Sequence, residues 1–239
     1  MIKNEKISES VSRAIVTQVT NAELPAGSVL ESEADMMERY GVSRGSLREA
    51  LRILEVLGFI YMKPGPKGGP ILLSPDSHQF SAMAALFYQR IGGKYSDLLE
   101  MRLVMEPEAA AFAAERRTEE QVQSLRDYLT RSEEANLDDD RQFRAVGQGF
   151  HDLIADMAGN GILSLVIHSS YDLFAGKSTG FLYPHDERKC IGDIHNDIAR
   201  AVIDGDVELA RSLMREHMRD YLVQARSRFP EMMDEPVRW

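Results

Sequence analysis

The segment Gly41–Ala50 (GVSRGSLREA) carries the residue types best suited to contact nucleic acid. Ser43 can begin a helix, because its hydroxyl accepts a hydrogen bond from the free N–H groups of a first turn. Arg44 and Arg48 then lie in the first two turns, where a guanidinium can pair with guanine or with a phosphate. Gly45 would let the start of this helix approach a sugar-phosphate backbone closely. We therefore predict a helix whose first turns read DNA.

This helix has a core side and a polar side. Its apolar residues recur at intervals of three and four, the spacing of a buried helical stripe, at Leu47, Ala50, Leu51, Leu54 and Leu57. The predicted DNA-facing residues of the helix are Ser43, Arg44, Gly45, Ser46, Arg48 and Arg52. Such a helix can pack on a core and still present its polar side to DNA.

A second predicted helix precedes it, over residues 31–41. Ser32 and Asp35 stand in capping-box relation at its start, and Gly41 ends it. The turn Tyr40-Gly41-Val42 joins the two helices closely, so the pair is a predicted helix-turn-helix.

Two short apolar segments follow, residues 58–63 and 70–73, around a tip rich in glycine and proline. Their pattern predicts a β-hairpin, which would be a wing beside the two helices. Lys63, Lys67 and Gly68 lie at this tip and complete the predicted DNA-binding set. Helix-turn-helix pairs also occur as plain packing units, and the wing favours the DNA-binding interpretation.

Residues 7–73 resemble the winged helix-turn-helix of the GntR family of bacterial transcription regulators, with three helices and a β-hairpin. The resemblance is carried by the run LPAGSVLESEADMMERYGVSRGSLREALRILEVLGFIYMKPGPKGGPILL. The family usually has proline and arginine where this chain has Glu31 and Ala34, so the operator sequence of other members cannot be transferred to it.

Composition predicts a cytoplasmic protein of two domains, residues 1–75 and 76–239. The chain has 239 residues, of which 44% are hydrophobic and 28% charged, which is ordinary globular usage. No apolar run approaches the roughly 20 residues of a membrane helix, and the first residues, MIKNEKISES, lack the apolar stretch of a signal peptide. The single cysteine, Cys190, excludes an internal disulfide and a cysteine-only metal site, and its predicted role is packing.

The net charge of −10 is unevenly distributed along the chain. Residues 1–75 hold nine basic and nine acidic side chains, so the whole negative charge lies in residues 76–239. A neutral first domain has no global basic field. Its binding to phosphates would rely on local clusters of Arg44, Arg48, Arg52, Lys63 and Lys67 and would be sensitive to salt.

After residues 74–76, a predicted linker, helical periodicity continues to Phe229 and predicts an all-α bundle of about seven helices. Thr118 with Gln121 forms a predicted capping box, and Asp206 is a predicted N-cap. Residues 138–140 and 178–186 are predicted loops, and the tail from residue 230 to 239 is predicted to be loosely attached. The predicted helices cover residues 78–91, 96–116, 118–136, 140–158, 161–175, 187–204 and 206–228.

Three histidines of the bundle are predicted to point inward. His195 and His217 lie on consecutive helices about ten and twelve residues from Gly205, so each sits roughly 15–18 Å from the turn and the two come level. His151 lies beside the apolar residues Phe150 and Ile154. A lone inward histidine is usually a hydrogen-bonded core residue, but three together favour a divalent transition metal such as zinc or nickel.

The second half of the chain, residues 76–239, resembles the FCD domain, the effector-binding and dimerising part of FadR-type GntR regulators. The motifs are Glu100-Met101-Arg102, Met105-Glu106-Pro107, Phe150-His151, Gly159-Asn160, His195 and His217. The resemblance implies a homodimer that binds a palindromic operator. It also implies a cavity in which an aspartate and three histidines hold a metal and an arginine meets a carboxylate effector, with Arg102, His151, His195 and His217 as the effector-binding residues.

This chain departs from the pattern at Gly147, which occupies the position of the aspartate. Asp152 is about 100° around the helix from His151 and is a poor substitute. Two interpretations stay open. Either a metal binds to three histidines with water or an effector oxygen in the open position, or the site is a relic whose histidines bind an organic ligand directly. His78, His168 and His185 match no ligand position and are predicted to be structural or exposed.

Arg102 shares the stripe of Leu98 and Met105 and is predicted to point into the bundle. A buried guanidinium needs an anion. Glu106 is four residues further along and would satisfy it structurally. The functional alternative is the carboxylate of an effector.

The sequence therefore favours a homodimeric regulator that binds double-stranded DNA and responds to a small carboxylate. A metal-dependent enzyme using the three histidines is the alternative, and it lacks an accompanying carboxylate in an evident general-base position. A storage or scaffold protein would leave the wing, Arg44 and Arg48 without a purpose.

Overall fold

The computed structural model describes residues 6–65, 68–175 and 183–238, which form eleven helices and one two-stranded antiparallel sheet. The chain divides into two compact units, Met1–Gln79 and Phe80–Trp239. The sequence predicted this division four residues earlier. No helix in the described part of the chain is long and apolar enough to cross a membrane.

The first unit is a winged helix-turn-helix, as predicted. Its elements are α1 (Ile7–Asn21), α2 (Glu33–Tyr40), α3 (Arg44–Val56), β1 (Ile60–Lys63) and β2 (Gly69–Leu72). The two strands pair with Ile60 opposite Leu72 and Lys63 opposite Gly69. The helices and the hairpin share one apolar core, made of Val11, Ile15, Val19, Met36, Leu47, Ala50, Leu51, Leu54, Ile60 and Leu72.

Local polar contacts fix the turn between α2 and α3. The Ser32 hydroxyl accepts from the backbone N–H of Asp35 at 3.2 Å, and the Ser43 hydroxyl accepts from that of Ser46 at 3.3 Å. Gly41 ends α2 with a φ of 62°, a left-handed conformation that glycine adopts without strain. The predicted caps at Ser32 and Ser43 are confirmed.

The second unit is an all-helical bundle. Its elements are α4 (Ser77–Ile91), α5 (Tyr95–Arg116), α6 (Glu119–Glu134), α7 (Asp140–Met157), α8 (Gly161–Ala175), α9 (His185–Asp204), α10 (Val207–Arg228) and α11 (Pro230–Asp234). Helix α5 packs against α7, α8, α9 and α10, and alanines on its buried faces allow this close approach. The seven predicted helices are confirmed as α4 to α10, and their ends agree with the prediction within two residues.

The predicted caps of the bundle are also present. The Thr118 hydroxyl accepts from the Gln121 N–H at 3.2 Å, and the Gln121 side chain accepts from the Thr118 N–H at 2.9 Å. Asp206 accepts from the Leu209 N–H at 3.0 Å. Within the predicted loop at residues 138–140, Asp139 caps α7. Of the predicted loop at residues 178–186, residues 178–182 lie outside the described part.

The prediction of a loosely attached tail was wrong. Met233 of α11 and Val237 are buried, so the segment adds apolar side chains to the core around Tyr95. The N–H of Tyr95 donates to the carbonyl of Glu235 at 3.2 Å, and the N–H of Val237 donates to the carbonyl of Gly93 at 2.8 Å. These contacts fasten the tail to the start of α5.

Candidate functional site

Three arginines project from one side of α3. Arg44, Arg48 and Arg52 follow one another at intervals of four residues, and all three are exposed, with 71% of the Arg48 side chain accessible. Gly45 lies between the first two, and a Cβ built there would meet only the Ser43 hydroxyl, at 3.9 Å. The first turns of α3 therefore form an open, positively charged face, as the sequence predicts for a DNA-reading helix.

Acidic side chains border this face. Oε1 of Glu33, at the start of α2, lies 4.0 Å from Nε of Arg48. Glu49 and Glu55 join Arg48 and Arg52 in lining a groove of about 490 Å³. The arginines thus act within a locally mixed field, which agrees with the zero net charge of residues 1–75.

The wing contributes Lys63, which is exposed at the end of β1. Lys67 lies outside the described residues. Gly68 has a structural role, because a Cβ there would come within 2.1 Å of the Lys63 carbonyl oxygen. Only glycine fits at that position.

A second candidate site is a cavity of about 150 Å³ inside the helical bundle. Side chains of α5, α7, α8, α9 and α10 surround it. Its lining residues are Arg102, Phe143, Arg144, Gly147, Gln148, His151, Tyr171, Phe174, Tyr183, Ile191, His195, His217 and Tyr221. The sequence predicted Arg102 and the three histidines here, and the structure brings all four together.

The three imidazoles converge through their Nε2 atoms. Nε2 of His217 lies 3.1 Å from Nε2 of His195 and 3.4 Å from Nε2 of His151. Two ligands at metal–nitrogen distances of about 2.0–2.1 Å are separated by roughly 3.0–3.4 Å in tetrahedral or octahedral geometry. All three residues are buried, and they form the one cluster of potential metal ligands found among the described residues. The donor set therefore fits a divalent metal.

Glu106 of α5 sets the orientation of His151. Its Oε2 lies 2.5 Å from Nδ1 of His151. When Nδ1 carries the proton and donates it to the carboxylate, Nε2 presents its lone pair to the other two imidazoles. Metal-binding histidines are typically held in this way by a carboxylate behind them. From the sequence, Glu106 was expected to pair only with Arg102, because its contact with His151 spans 45 residues of sequence.

Arg102 is almost wholly enclosed, with 3% of its side chain exposed. Its Nε donates to Oε1 of Glu106 at 2.6 Å, and another guanidinium nitrogen donates to the Tyr171 hydroxyl. The guanidinium carbon also lies 3.8 Å from the centre of the Tyr171 ring. Glu106 therefore supplies the anion that a buried arginine needs, and Arg102 still borders the cavity.

Burial and charge shift the ionisation of these groups. Burial opposes the charge of Arg102, but the charge of Glu106, its hydrogen bond to Arg102 and the neighbouring Tyr171 and Tyr221 together outweigh burial and raise the pKa of Arg102 above its usual value. Burial also opposes the charge of Glu106, but Arg102 and then His151 lower the pKa of Glu106 to about 2. Burial lowers the pKa of His217 to about 3 and the pKa of His195 well below its usual value. Neutral His195 and His217 are the forms that can bind a metal.

Gly147 lies where a fourth ligand would be expected. A Cβ built on Gly147 would lie 3.9 Å from Cε1 of His195, an ordinary contact. A carboxylate there would face the histidines, and its absence opens that side to the cavity. Asp152 is not a replacement, because it pairs with His168 instead, at 3.8 Å.

Arg144, a half-buried residue of α7 that lines the cavity, was not predicted from the sequence. Arg144, Gly147 and His151 are separated by three and four residues, so their common face could have been read from the sequence. Tyr171 and Tyr221, whose hydroxyls are enclosed beside Arg102, were also not predicted. Burial raises the pKa of Tyr221 to about 12, so that phenol is neutral.

The remaining histidines and the cysteine lie elsewhere. His185 is exposed and its Nδ1 is 3.0 Å from Asp138, while His168 contacts Asp156 at 3.2 Å. His78 is exposed near the start of α4. The prediction that Cys190 packs in the interior was wrong, because Cys190 lies on an exposed face of α9.

Two protein families match the chain. Residues 7–66 match "Bacterial regulatory proteins, gntR family", and residues 97–220 match "FCD domain". The HTH-type transcriptional repressor NanR of Enterobacter sp. (strain 638) is 31% identical over 169 residues, 70% of this chain and 64% of that protein. The matched part thus spans less than two thirds of NanR.

Other relatives match along nearly the whole chain. YcbG of Bacillus subtilis (strain 168), an uncharacterized HTH-type transcriptional regulator, is 30% identical over 219 residues, 91% of this chain and 89% of that protein. A solved structure, Streptococcus agalactiae GntR, superposes with a TM-score of 0.71 at 23% identity. The match covers 91% of this chain and 100% of the solved chain, which shows that both units share the fold of that structure.

Proposed function

We propose that this chain, which belongs to the GntR family of bacterial regulatory proteins and carries an FCD domain, is a DNA-binding transcriptional regulator. Its affinity for an operator would change when a small ligand enters the bundle cavity. The observation that carries this proposal is the presence, in one chain, of an open arginine face on α3 and a cavity between five helices that is lined by Arg102 and three histidines.

The DNA-binding residues of the proposal are those predicted from the sequence. Arg44, Arg48 and Arg52 supply positive charge and base-reading donors, and the wing adds Lys63 and Lys67. Ser43, Gly45, Ser46 and Gly68 shape the surface around them. The partner is double-stranded DNA with a palindromic operator, read by a homodimer acting in the cytoplasm, since two-fold operators match two-fold proteins.

A fluorescence-anisotropy titration tests this function. The full chain is titrated into labelled DNA from upstream of its own gene and into scrambled DNA of equal length, at two salt concentrations. We expect tighter binding to the upstream DNA and a loss of affinity at higher salt, because arginine and lysine release counterions from phosphates. Equal, weak binding to both DNAs at low salt would contradict the proposal.

For the cavity, we propose one divalent transition metal, zinc or nickel, held by His151, His195 and His217. The converging Nε2 atoms and the carboxylate behind His151 support this assignment. When bound, such a metal supplies a Lewis-acidic centre that attracts anionic oxygen. The competing interpretation is that the three histidines contact an organic ligand directly. Metal content after dialysis against a weak chelator distinguishes the two interpretations.

The effector of this proposal is a small carboxylate, recognised by Arg102, His151, His195 and His217. A cavity of about 150 Å³ admits only a compact molecule, and its polar groups are cationic, phenolic or neutral. Thermal-shift measurements with a panel of small mono- and dicarboxylates, and with neutral molecules of matched size, test this class. A ligand that stabilises the protein must also change operator affinity to count as an effector.

The structure does not favour a metal-dependent enzyme. Among the described residues that line the cavity there is no aspartate or glutamate to serve as a general base. Glu106 is engaged with both Arg102 and His151. The relatives bear the names of transcriptional regulators, which agrees with a sensing role for the cavity.

A further inference from the structure

The cavity of the bundle has two ends that differ in burial. At its inner end lie Arg102, His151 and His195, which are between 3% and 6% exposed. At its outer end lie Arg144, which is half-buried, and Gln148, which is exposed. A ligand long enough to span the cavity would therefore contact enclosed polar groups at one end and a second set of polar groups, nearer to solvent, at the other.

Helix α7 contributes side chains to both ends. Arg144, Gly147 and His151 are separated by three and four residues, so they lie on one side of the helix, and all three line the cavity. At a rise of 1.5 Å per residue, Arg144 and His151 are about 10 Å apart along the helix axis. Gly147 lies between them and has no side chain to divide the space. The two ends are thus joined along α7.

A buried arginine of α9 fixes the wall at the outer end. Arg188 is 2% exposed, and its guanidinium donates to the carbonyl oxygens of Leu137 and Tyr183 at 2.8 and 2.9 Å. It also donates at 2.7 Å to Oδ1 of Asp140, the first residue of α7. The ring of Tyr183 lies edge-on to that of Phe143, with centroids 6.4 Å apart, and both rings line the cavity. Contacts within the protein therefore hold the outer end in a defined shape.

We propose that the ligand of this cavity is a short dicarboxylate, with one carboxylate at the histidine end and the other at Arg144. This inference rests on the proposed function, which places one carboxylate beside Arg102 and the histidines, and it adds the second. The described residues that line the cavity include two arginines and no aspartate or glutamate. The volume of about 150 Å³ is below the roughly 300–1,000 Å³ of sites for drug-sized ligands, so the chain between the carboxylates must be short.

The outer end favours a carboxylate over a neutral or apolar tail. A planar guanidinium binds a carboxylate through two parallel hydrogen bonds, and Gln148, one turn from Arg144, has an amide that can donate a further bond. An apolar tail would remove water from the Arg144 guanidinium without a compensating bond, which costs free energy. At the inner end, Glu106 already accepts from Arg102 at 2.6 Å. A second contact at Arg144 therefore adds affinity that the inner end alone does not provide.

Pairs of acids that differ only in the second carboxylate test this inference. Malonate is compared with propionate, succinate with butyrate, and glutarate with valerate, by calorimetry on the full chain after exposure to zinc and removal of unbound metal. We expect at least one diacid to bind at least tenfold more tightly than its matched monoacid. Equal affinities within every pair would overturn the inference and leave a monocarboxylate effector in place. Absence of binding by all three diacids would also overturn it.

Substitution of Arg144 tests where the second carboxylate lies. In Arg144→Gln the advantage of the diacid should disappear, while the matched monoacid binds as it does to the unsubstituted chain. Arg144→Lys keeps the charge and should keep part of the advantage, and Arg141→Gln, at an exposed position of the same helix, should keep all of it. An unchanged preference for the diacid in Arg144→Gln, or an equal loss of both acids, would contradict the proposal. Binding to upstream DNA is measured without these acids, so a failure here is distinguishable from a failure of operator binding.

Discussion

The carboxylate of Glu106 lies 2.5 Å from Nδ1 of His151, although the two residues are 45 positions apart in the sequence. The other oxygen of Glu106 accepts from Arg102 at 2.6 Å. One carboxylate thus neutralises the buried arginine and orients the histidine whose Nε2 faces His217. The groups that we propose to bind an anion and a metal are consequently linked through Glu106.

Replacing Glu106 tests how much this link stabilises the bundle. Glu106→Gln leaves the Arg102 charge buried without its counter-ion, so we expect the free energy of unfolding to fall by about 3–5 kcal/mol in urea denaturation. Asp197→Asn is the control, because it breaks an ion pair with Arg200 in which both side chains are more than half exposed. That change should cost less than about 1 kcal/mol. Similar losses for both variants would show that Arg102 does not depend on Glu106.

The metal-free protein should lose stability as the pH falls below about 6.5. His195 and His217 are neutral when folded, with a lowered pKa, but bind protons when unfolded below that pH. The unfolded state therefore binds more protons, and the free energy of unfolding should fall by about 1–3 kcal/mol per pH unit. Urea denaturation at several pH values after chelation measures this slope.

Protonation of Glu106 lowers the free energy of unfolding only at lower pH. Its folded pKa of about 2 lies below the usual value of 4.5 for a glutamate in an unfolded chain, so its stabilisation is present above 4.5 and is lost towards pH 2. Above that range Glu106 adds little to the slope that the two histidines cause. His217→Gln should flatten the slope between pH 6.5 and 4.5, and an unchanged slope would contradict the assignment to buried histidines.

A carboxylate at position 147 should strengthen metal binding. Gly147→Asp places an anionic oxygen four residues before His151 and toward His195, so we expect zinc or nickel affinity to rise at least tenfold, measured by competition with a chelator. Gly149→Asp is the control, because a Cβ there meets no atom within 4 Å and that position does not line the cavity. Equal affinities in the two variants would indicate that the histidines do not form a metal site.

The sequence predicted what depends on local periodicity. Apolar residues at helical spacing identified α4 to α10, and the caps at Ser43, Thr118 and Asp206 marked where helices begin. The inward direction of His195 and His217 followed from the apolar stripes of their helices, and their equal height followed from their similar distances to the turn at Gly205.

What the sequence did not predict depends on contacts between distant segments. The pairing of Glu106 with His151 requires α5 and α7 to adopt one particular rotation, which no local pattern specifies. The docking of the tail depends on backbone hydrogen bonds to Gly93 and Tyr95, more than a hundred residues away. The exposure of Cys190 similarly follows from which side of α9 meets its neighbours.

The arginine face of α3 should determine DNA affinity. Arg48→Ala removes a donor whose side chain is 71% exposed, so the fold should be unaffected while operator binding weakens by about 1–3 kcal/mol per half-site. Arg200→Ala is a control for the loss of one exposed positive charge elsewhere. Anisotropy titrations at matched salt compare the two variants, and equal affinities would show that α3 does not read the operator.

The two arginines of the cavity differ in their relation to Glu106. Arg102 is enclosed and paired with Glu106, so Arg102→Ala is expected to lower the melting temperature even without ligand. Arg102→Lys retains the charge but loses the paired geometry of the guanidinium, and it should weaken binding of a carboxylate. Both substitutions of Arg102 change stability and carboxylate recognition together. A substitution outside the Arg102–Glu106 pair is needed to measure recognition alone.

Arg144 allows that measurement. It is half-buried on the cavity side of α7, and its removal leaves the Arg102–Glu106 pair intact. Arg144→Gln should therefore lower the affinity of a stabilising carboxylate at least tenfold, measured by calorimetry, without removing the counter-ion of Arg102. Arg141→Gln, on an exposed position of the same helix, should leave that affinity unchanged. If Arg144→Gln binds the carboxylate as tightly as the unsubstituted protein, recognition of the anion must rest on Arg102 and the histidines alone.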